Sequence, residues 1–581
     1  MSGSRDVLRA LVLLAVASCG DSSAAGESLD GARIQAGVMV PMRDGVRLST
    51  DLYFPENVEA KLPVVLWRSI YDKTGAYGRE PGMRELVQQG YVAAIQDTRG
   101  RGASEGEFTP SAGDRNDGYD TVAWLTSQPW SNKKVGSAGC SSLGESQLLL
   151  ASARHPHHVA AIPQAAASGF FIRGRPWASF DGGVFELAQT AGWFSVDGRG
   201  LDFRVLPIID VLKEAGRPPT HYEKFASSNP EGPYFQNLEW LRPGDRLNVP
   251  ALFFDSWYDY GAAETLELFN MLRRESVSVT ARENQFVIIA PGTHCGYREA
   301  TEQTIVGERD LGDARIDVLE LQIRWFDHWL KGIDNRVTDR PRIQYYLMGA
   351  NRWRNADTWP VRGTRFTKLY LGSKGTANSL HGDGTLSFDP PSRSASDTFE
   401  YDPASPIPSL GGHACCTGTD TEAGAYDQTQ IEMRDDVLVY TSAPLEEGIE
   451  VTGSLKLTLY ISSSAPDTDF TAKLVDVYPD GRAFNIQEGA LRMRYREGFD
   501  KNLRMQAGEV YEAHIDLHAT SNYFGRGHRI RLDISSSNFP RWDRNLNTGG
   551  NNYDEREFVT AQNTVHHSPE DPSFILLPLV E

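Results

Sequence analysis

Two adjacent serines, Ser141 and Ser142, lie in the stretch GCSSLG (139–144). A serine hydroxyl becomes a strong nucleophile only when a base removes its proton, so a catalytic serine must be exposed on a sharp turn within reach of a histidine. Ser141 has Gly139 two positions before it, with a predicted strand entering the turn and a predicted helix leaving it. Ser142 has Cys140 at the equivalent place. We therefore predict Ser141 as the nucleophile; the alternative is a turn without chemistry.

An acid and a base follow the serine along the chain. Asp259 comes after the apolar run 251–255, and His294 comes after the apolar run 285–290. An isolated Asp or His at the end of a strand usually caps the strand or faces water. Two of them in the order serine, acid, base, each after a predicted strand, favour a catalytic triad of Ser141, Asp259 and His294.

The elements that would position these residues alternate between strands and helices. The pattern predicts buried strands at 63–67, 91–96 and 159–165 and helices at 117–130 and 142–153, within a region spanning 36–165. Such alternation indicates a parallel sheet with helices on both faces. The same pattern returns over 246–345 and closes with an amphipathic helix at 319–332 that Gly332 ends. The predicted fold class is α/β for this part of the chain.

Two other regions differ from this pattern in residue composition or in apolar period. Residues 166–245 mix glycine and charge with aromatic side chains and predict an inserted helical cap, whose aromatics form its core with one or two lining an acyl pocket. The aromatics are Phe170, Phe171, Trp177, Phe180, Phe185, Trp193 and Phe194. Beyond residue 345 the apolar period changes to two, with a turn at 479–481. This predicts an all-β sandwich of the jelly-roll type over 346–581.

The N-terminus has the layout of an export signal. Arg5 and Arg9 precede the apolar stretch 10–16, which is too short for a hydrocarbon core that needs about 20 residues. The following Val-Ala-Ser-Cys, ending at Cys19, is similar to a bacterial lipobox. We predict a lipoprotein signal peptide over 1–19, a linker over 20–35 and membrane anchoring through a lipid on Cys19 in the cell envelope. The alternative is ordinary cleavage and secretion.

Composition limits the partners of the chain. The 581 residues carry a formal net charge of −19 without a dense basic run, which argues against a nucleic-acid partner. The four cysteines after the signal, at 140, 295, 415 and 416, allow three pairings, and the sequence does not choose among them. No cysteine spacing is typical of zinc, and we interpret His155, His157 and His158 as a surface loop. No metal or cofactor is expected.

Six motifs together resemble one family of hydrolases. They are WRSIYDK (67–73), QDTRGRGASEGEF (96–108), GCSSLGESQ (139–147), VPALFFDSWYD (249–259), APGTH (290–294) and RWFDHWLKG (324–332). With them the chain resembles the CocE/NonD hydrolases, the cocaine esterase and X-prolyl dipeptidyl peptidase group of α/β-hydrolases, over nearly its whole length. The turn of that family is Gly-x-Ser-Tyr-x-Gly, which accounts for a second glycine at 144 where Gly-x-Ser-x-Gly would place it at 143.

The resemblance implies a role for each site residue. It implies Ser141 as nucleophile, His294 as general base and then acid, and Asp259 as the group that fixes the imidazole tautomer. It also implies an oxyanion hole formed by the Tyr71 hydroxyl and the backbone N–H of Ser142. The family usually has tyrosine where this chain has Ser142, which retains the N–H and predicts a wider acyl pocket. The segment 97–106 is interpreted as a structural turn beside the site.

The implied activity is hydrolysis of acyl esters or amides through an acyl-enzyme, with a small molecule as substrate. One alternative is a dipeptidyl peptidase or an α-amino acid ester hydrolase or acylase, which needs acidic groups to bind a free amine. The acidic residues of the cap that could serve, or could instead face solvent, are Asp181, Glu186, Asp197 and Asp202. A second alternative is an inactive, lipid-anchored protein whose jelly roll binds carbohydrate.

Overall fold

An eleven-stranded mixed sheet organises the first part of the protein in the computed structural model, which describes residues 28–29, 31–56, 60–110, 114–166, 170, 179–195, 198–415 and 423–581. The strands up to residue 356 are β1 (Ser28–Leu29), β2 (Ala32–Pro41), β3 (Arg47–Pro55), β4 (Leu62–Ser69), β5 (Val92–Asp97), β6 (Ser131–Cys140), β7 (His158–Gln164), β8 (Phe180–Asp181), β9 (Val184–Phe185), β10 (Ala251–Tyr258), β11 (Gln285–Thr293), β12 (Ile305–Val306), β13 (Arg309–Asp310), β14 (Ile343–Leu347) and β15 (Arg352–Ala356). The order in the large sheet is β1-β2-β3-β5-β4-β6-β7-β10-β11-β14-β15.

The centre of this sheet is parallel and its edges are antiparallel. Strands β5, β4, β6, β7, β10, β11 and β14 pair in parallel, as the alternating pattern predicts. The strands β1, β2, β3 and β15 pair antiparallel, so the expectation of a purely parallel sheet is wrong at both edges. The connections from β2 to β3 and from β14 to β15 are short, and a short connection joins strands only as an antiparallel hairpin.

Helices cover both faces of the sheet and form the cap. They are α1 (Ala76–Arg79), α2 (Met83–Gln88), α3 (Asp114–Ser127), α4 (Ser142–Ala153), α5 (Leu187–Ser195), α6 (Val211–Glu214), α7 (Tyr222–Ser227), α8 (Pro233–Gln236), α9 (Ala262–Glu275), α10 (Val279–Glu283) and α11 (Val318–Phe326), with one further short helix, α12 (Thr429–Glu432), later in the chain. Helix α4 has the predicted bounds. Helix α3 ends three residues earlier than predicted because Pro129 disfavours helical backbone at the residue before it.

The amphipathic segment near residue 325 divides into two kinds of helix. Helix α11 is followed by a π-helical turn over Asp327–Lys331, and Gly332 then adopts a left-handed conformation with φ of 76°. The predicted end of the helix at Gly332 is confirmed, since glycine takes this backbone conformation without steric cost. Among the described residues, no helix is both long and apolar enough to cross a membrane.

The C-terminal part is all-β, as predicted. Its strands are β16 (Arg365–Gly372), β17 (Thr385–Ser387), β18 (Ala395–Tyr401), β19 (Leu438–Ser442), β20 (Ile449–Ser463), β21 (Asp469–Val477), β22 (Ala483–Arg492), β23 (Tyr511–Phe524), β24 (Arg529–Ser535), β25 (Ala561–His567) and β26 (Phe574–Val580). Alternate residues of these strands, such as Leu455, Leu457 and Leu459 of β20, are buried in one apolar core. The predicted turn at 479–481 joins β21 to β22. The jelly-roll order of the strands stays a prediction.

The cap consists of the β8–β9 hairpin and helices α5 to α8. Phe180, Phe185 and Phe194 pack in its core, together with Phe539 and Tyr553 of the all-β domain. Phe170 packs instead in the core of the large mixed sheet, so its assignment to the cap core is wrong. Phe171 and Trp177 lie outside the described residues. The cap therefore shares its apolar core with the C-terminal domain.

Candidate active site

The predicted nucleophile lies on a sharp turn between β6 and α4. Ser141 adopts a φ of 61° and a ψ of −133°, a conformation that residues with a side chain rarely take. Its N–H donates to the backbone oxygen of Gln164 at 2.9 Å, and its backbone oxygen accepts from the N–H groups of Gly144 and Glu145 at 2.7 and 3.0 Å. These bonds hold the strained residue at the entrance to the helix, which is the geometry of a nucleophile elbow.

Close backbone approach explains the two glycines of the turn. A Cβ at Gly139 would lie 2.5 Å from the Cβ of Leu143. A Cβ at Gly144 would lie 2.7 Å from the Cβ of Ala166 and 2.8 Å from the backbone oxygen of Gln164. The later glycine is therefore required by the contact between the first turn of α4 and the end of β7.

The acid and the base are in direct contact. Asp259 follows β10, His294 follows β11, and His294 Nδ1 lies 2.8 Å from Asp259 Oδ2. Because an ionised carboxylate only accepts hydrogen bonds, Nδ1 carries the proton and donates it. The neutral imidazole then has its lone pair on Nε2, which is the state that a general base requires. The ring of Tyr260 stacks on that of His294, with centroids 5.2 Å apart.

A second carboxyl group, Asp255, lies in β10, shortly before the predicted acid Asp259. It accepts hydrogen bonds from Thr265 Oγ1 at 2.5 Å and from the N–H of Ser256 at 2.8 Å. Burial, together with the negative charge of Asp259, raises the pKa of Asp255 well above its usual range. The protonated form of Asp255 is thus favoured.

The hydroxyl of Tyr71, one of the two predicted oxyanion donors, contacts the side chain of Ser142, whose N–H is the other. Tyr71 follows β4 by two residues, and its hydroxyl lies 3.3 Å from Ser142 Oγ. Ser142 begins α4, so its N–H points out of the positive end of that helix. Tyr71 is 43% exposed, which argues against an ordinary buried tyrosine.

The segment 97–106 forms a turn that supports the Tyr71 loop. Asp97 accepts from the N–H of Lys73 at 2.7 Å and from the N–H of Ala103 at 3.0 Å. The side chain of Lys73 also reaches Asp97, with Nζ 3.6 Å from Oδ2. The interpretation of this segment as a structural turn beside the site agrees with these contacts.

A pocket opens at Ser141 between the three parts of the chain. The described residues that line it are Ser141, Ser142, Glu145, Ser179, Gln189, Thr190, Trp193, Tyr260 and Cys415. Helix α4 and the turns after β6 and β10 contribute the serines, Glu145 and Tyr260. The cap contributes Ser179 and the three residues of α5, and Cys415 belongs to the C-terminal region. Of the cap aromatics, Trp193 lines the pocket, which agrees with the expectation that one or two of them would.

Two acidic residues of the cap, Asp181 and Glu186, neither face solvent nor bind at the pocket, and instead contact the all-β domain. Glu186 is buried and contacts Arg541 Nη2 at 3.2 Å and Trp542 Nε1 at 2.9 Å. Asp181 is buried 3.1 Å from His518 Nε2. Both carboxylates join the cap to the all-β domain, so they neither face solvent nor line the described pocket. Asp202 is exposed, and Asp197 lies outside the described residues.

The histidine cluster also differs from the prediction. His155 and His158 are buried, so the interpretation as a surface loop is wrong. His158 Nε2 lies 2.9 Å from Ser137 Oγ within the helix-covered sheet. Burial lowers the pKa of His155 to about 4 and that of His158 to about 3, which favours the neutral rings. No three metal-binding side chains cluster anywhere in the described ranges.

Four features of the site were not predicted from the sequence. Cys140 and Cys295 form a disulfide with their Cα atoms 6.2 Å apart. Gln164, buried at the end of β7, binds the Ser141 N–H through its backbone and the Tyr297 hydroxyl through its side chain. Tyr260 and Glu145 complete the pocket. The sequence did contain a signal for the disulfide, because each cysteine is adjacent to a predicted triad residue.

The chain matches known proteins along most of its length. Residues 44–296 match the X-Pro dipeptidyl-peptidase (S15 family) model, and residues 335–576 match the model of the X-Pro dipeptidyl-peptidase C-terminal non-catalytic domain. The cocaine esterase of Rhodococcus sp. (strain MB1 Bresler) is 37% identical over 94% of this chain and 99% of its own.

Two solved structures have the same fold. An aminopeptidase from the marine sediment archaeon Thaumarchaeota archaeon superposes with a TM-score of 0.81 at 24% identity, covering 97% of this chain and 99% of its own. An α-amino acid ester hydrolase superposes with a TM-score of 0.79 at 23% identity, covering 97% and 98%. The similarity to the esterase extends over both domains, and the chain therefore belongs to the CocE/NonD family of α/β-hydrolases and is a serine hydrolase.

Proposed function

We propose that the protein hydrolyses acyl esters through an acyl-enzyme on Ser141. The observation that carries this proposal is the contact of 2.8 Å between His294 and Asp259, at the same edge of the sheet as the Ser141 turn. Parallel strands present their carboxyl ends at one edge, where ligands bind in open α/β sheets. A pocket at Ser141 that contains few charged groups suits an acyl chain.

The proposed reaction has two halves, acylation of Ser141 and deacylation, and His294 and Asp259 act in both. His294 Nε2 removes the proton from Ser141 Oγ as the oxygen attacks the ester carbonyl, and the resulting imidazolium is stabilised by Asp259. The imidazolium then gives its proton to the departing alcohol, which leaves the acyl group on Ser141. In the second half His294 deprotonates a water molecule, which attacks the carbonyl carbon of the acyl-enzyme. The imidazolium then returns this proton to Ser141 Oγ as the bond to the serine breaks and the acid leaves.

The negative charge of each tetrahedral intermediate requires donors aimed at the carbonyl oxygen. We propose the Tyr71 hydroxyl and the N–H of Ser142 in this role, supported by their proximity at the start of α4. One such donor typically contributes about 3 kcal/mol to the stability of the transition state. Ser142, where the family usually has tyrosine, is proposed to leave more room beside the acyl group.

A second candidate activity is hydrolysis of α-amino acyl esters or amides. The observation in its favour is Glu145, a buried carboxylate among the residues that line the pocket. A carboxylate near the acyl group would attract the ammonium group of such a substrate. The positions of Asp181 and Glu186 remove those two residues from consideration for this role.

A substrate panel distinguishes the two activities. We expect higher kcat/KM for the p-nitrophenyl ester of 3-phenylpropanoic acid than for that of phenylalanine, because the pocket contains few charged groups. The two acyl groups differ only in the amine, so the comparison isolates its effect. Aminoacyl and Xaa-Pro p-nitroanilides are expected to react more slowly than either ester. Preference for the phenylalanine ester would favour the second activity, and preference for Xaa-Pro anilides would indicate a dipeptidyl peptidase. No reaction with any ester would contradict the main proposal.

We also propose that the protein is exported and anchored by a lipid on Cys19, a residue outside the described part of the chain. The lipobox-like Val-Ala-Ser-Cys supports this, and an attached diacylglyceryl group would hold the protein at a membrane because two acyl chains bind far more stably than one. Changing Cys19 to serine is expected to move the protein from the membrane fraction to the soluble fraction in a bacterial host. The mass of the mature N-terminus is the independent check, and an unmodified Cys19 would contradict the proposal.

A further inference from the structure

A disulfide joins the two loops that carry the predicted nucleophile and base. Cys140 ends β6 and immediately precedes Ser141, and Cys295 immediately follows His294. The bond links positions 155 residues apart in the chain. Each half of the cross-link is therefore one peptide bond away from a group that must exchange a proton during catalysis.

Pairing of strands does not hold these two loops to each other directly. Strands β6 and β11 are separated in the sheet by β7 and β10. Each loop also contains a residue other than glycine whose backbone has a positive φ. These residues are Ser141, with φ of 61°, and Cys295, with φ of 59°. Such conformations persist only where surrounding contacts impose them.

One polar residue, Gln164, links the loops without a covalent bond. Gln164 is fully buried at the end of β7, and its backbone oxygen accepts from the Ser141 N–H at 2.9 Å. Its side-chain oxygen accepts from the Tyr297 hydroxyl and the Arg298 guanidinium, both just beyond Cys295. The disulfide and Gln164 therefore connect the same pair of loops. The disulfide joins them directly, whereas Gln164 connects them through hydrogen bonds from a third strand.

We propose that Cys140 and Cys295 are positioning residues whose disulfide fixes the distance between Ser141 and His294. This inference rests on the proposed function. A misplacement of about 1 Å between reacting groups can lower a rate by about 100-fold, while substrate binding in the pocket depends on other side chains. Opening the disulfide should accordingly lower kcat and leave KM nearly unchanged. Full activity would then require the oxidising conditions outside the cytoplasm.

Reduction by dithiothreitol provides a direct test on the folded enzyme. One thiolate of the reagent attacks a cystine sulfur, which breaks the S–S bond and forms a mixed disulfide. The second thiol of the reagent then releases that cysteine and closes a cyclic disulfide. Two electrons and two protons thereby pass to Cys140 and Cys295. We expect kcat for a p-nitrophenyl ester to fall about 10- to 100-fold with KM within about twofold. Reoxidation should restore kcat. The labelling rate of Ser141 by a fluorophosphonate should fall in parallel.

The variant with Cys140→Ser and Cys295→Ser shows whether this disulfide is responsible. It should have the low kcat of the reduced enzyme and should not respond to dithiothreitol, even though Cys415 is still present. Leu474→Ala, which removes a fully buried side chain from the all-β core, serves as a control for reduced stability. We expect it to lower the melting temperature and keep the kcat of the parent when assayed well below that temperature.

The possible outcomes separate the two proposals. Equal kcat and equal labelling rates for the oxidised and reduced enzymes, with the disulfide shown open by mass spectrometry, would overturn the positioning role. A loss of activity that follows the melting temperature in the same way for Leu474→Ala would also overturn it. An oxidised enzyme that neither hydrolyses esters nor reacts with the fluorophosphonate would contradict the proposed function itself. Reduction in place needs no refolding, so the test remains valid if the double variant does not fold.

Discussion

Ser141→Ala is expected to lower kcat for ester hydrolysis by about 10⁴- to 10⁶-fold, because the variant has no oxygen that can form the acyl-enzyme. The residual rate would come from direct attack by water assisted by the oxyanion donors. Ser142→Ala is expected to stay within about tenfold of the parent enzyme, since its proposed donor is the backbone N–H. Its hydroxyl contacts Tyr71 at 3.3 Å, so a small effect is expected.

The measurement for this pair is a burst of p-nitrophenol together with covalent labelling by a fluorophosphonate. The Ser142→Ala protein should show both, and the Ser141→Ala protein should show neither. Each variant should keep the melting temperature of the parent within a few degrees, which excludes unfolding as the cause. If Ser142→Ala were inactive and Ser141→Ala were active, the assignment of Ser141 as the nucleophile would be wrong.

Tyr71→Phe is expected to lower kcat by about 10²- to 10³-fold with little change in KM, because an oxyanion donor acts on charge that develops in the transition state. Since Tyr71 is 43% exposed, losing its hydroxyl should have little effect on the free energy of unfolding. Steady-state kinetics and a thermal melt on the same preparation test both statements.

Ser142→Ala is the matched control for Tyr71→Phe. Both changes remove the contact between the Tyr71 hydroxyl and Ser142 Oγ, and only Tyr71→Phe removes the proposed donor. A large effect in Tyr71→Phe and a small one in Ser142→Ala would assign the loss to the hydroxyl itself. A folded Tyr71→Phe enzyme with nearly normal kcat would contradict an oxyanion hole made of two donors.

The buried contacts of Glu186 and Asp181 with the all-β domain show why acidic residues are poorly assigned from sequence. Glu186 and Asp181 lie in the cap, next to the aromatic residues expected around a substrate, and their partners Arg541 and His518 are more than 300 positions away. A carboxylate is stabilised by whichever cation the fold brings to it. That choice is made by the docking of two domains, which no local pattern describes.

The sequence by itself determined the elements and the order of the candidate site. Runs of apolar residues predicted the strands that end before Asp259 and His294, because burial on both faces of a parallel sheet requires such runs. The change to a period of two predicted the all-β domain, because strands such as β18 and β25 bury every second side chain. Local chemistry and local periodicity were sufficient for these features.

Only the tertiary structure decided which distant groups meet. It paired Cys140 with Cys295 among three possible pairings, brought Gln164 beneath both loops, and placed Cys415 of the C-terminal region at the pocket. It also made the edge strands antiparallel and buried His155 and His158. The physical reason is that strand order and domain docking set these distances, whereas composition and spacing along the chain constrain only neighbours within a few turns.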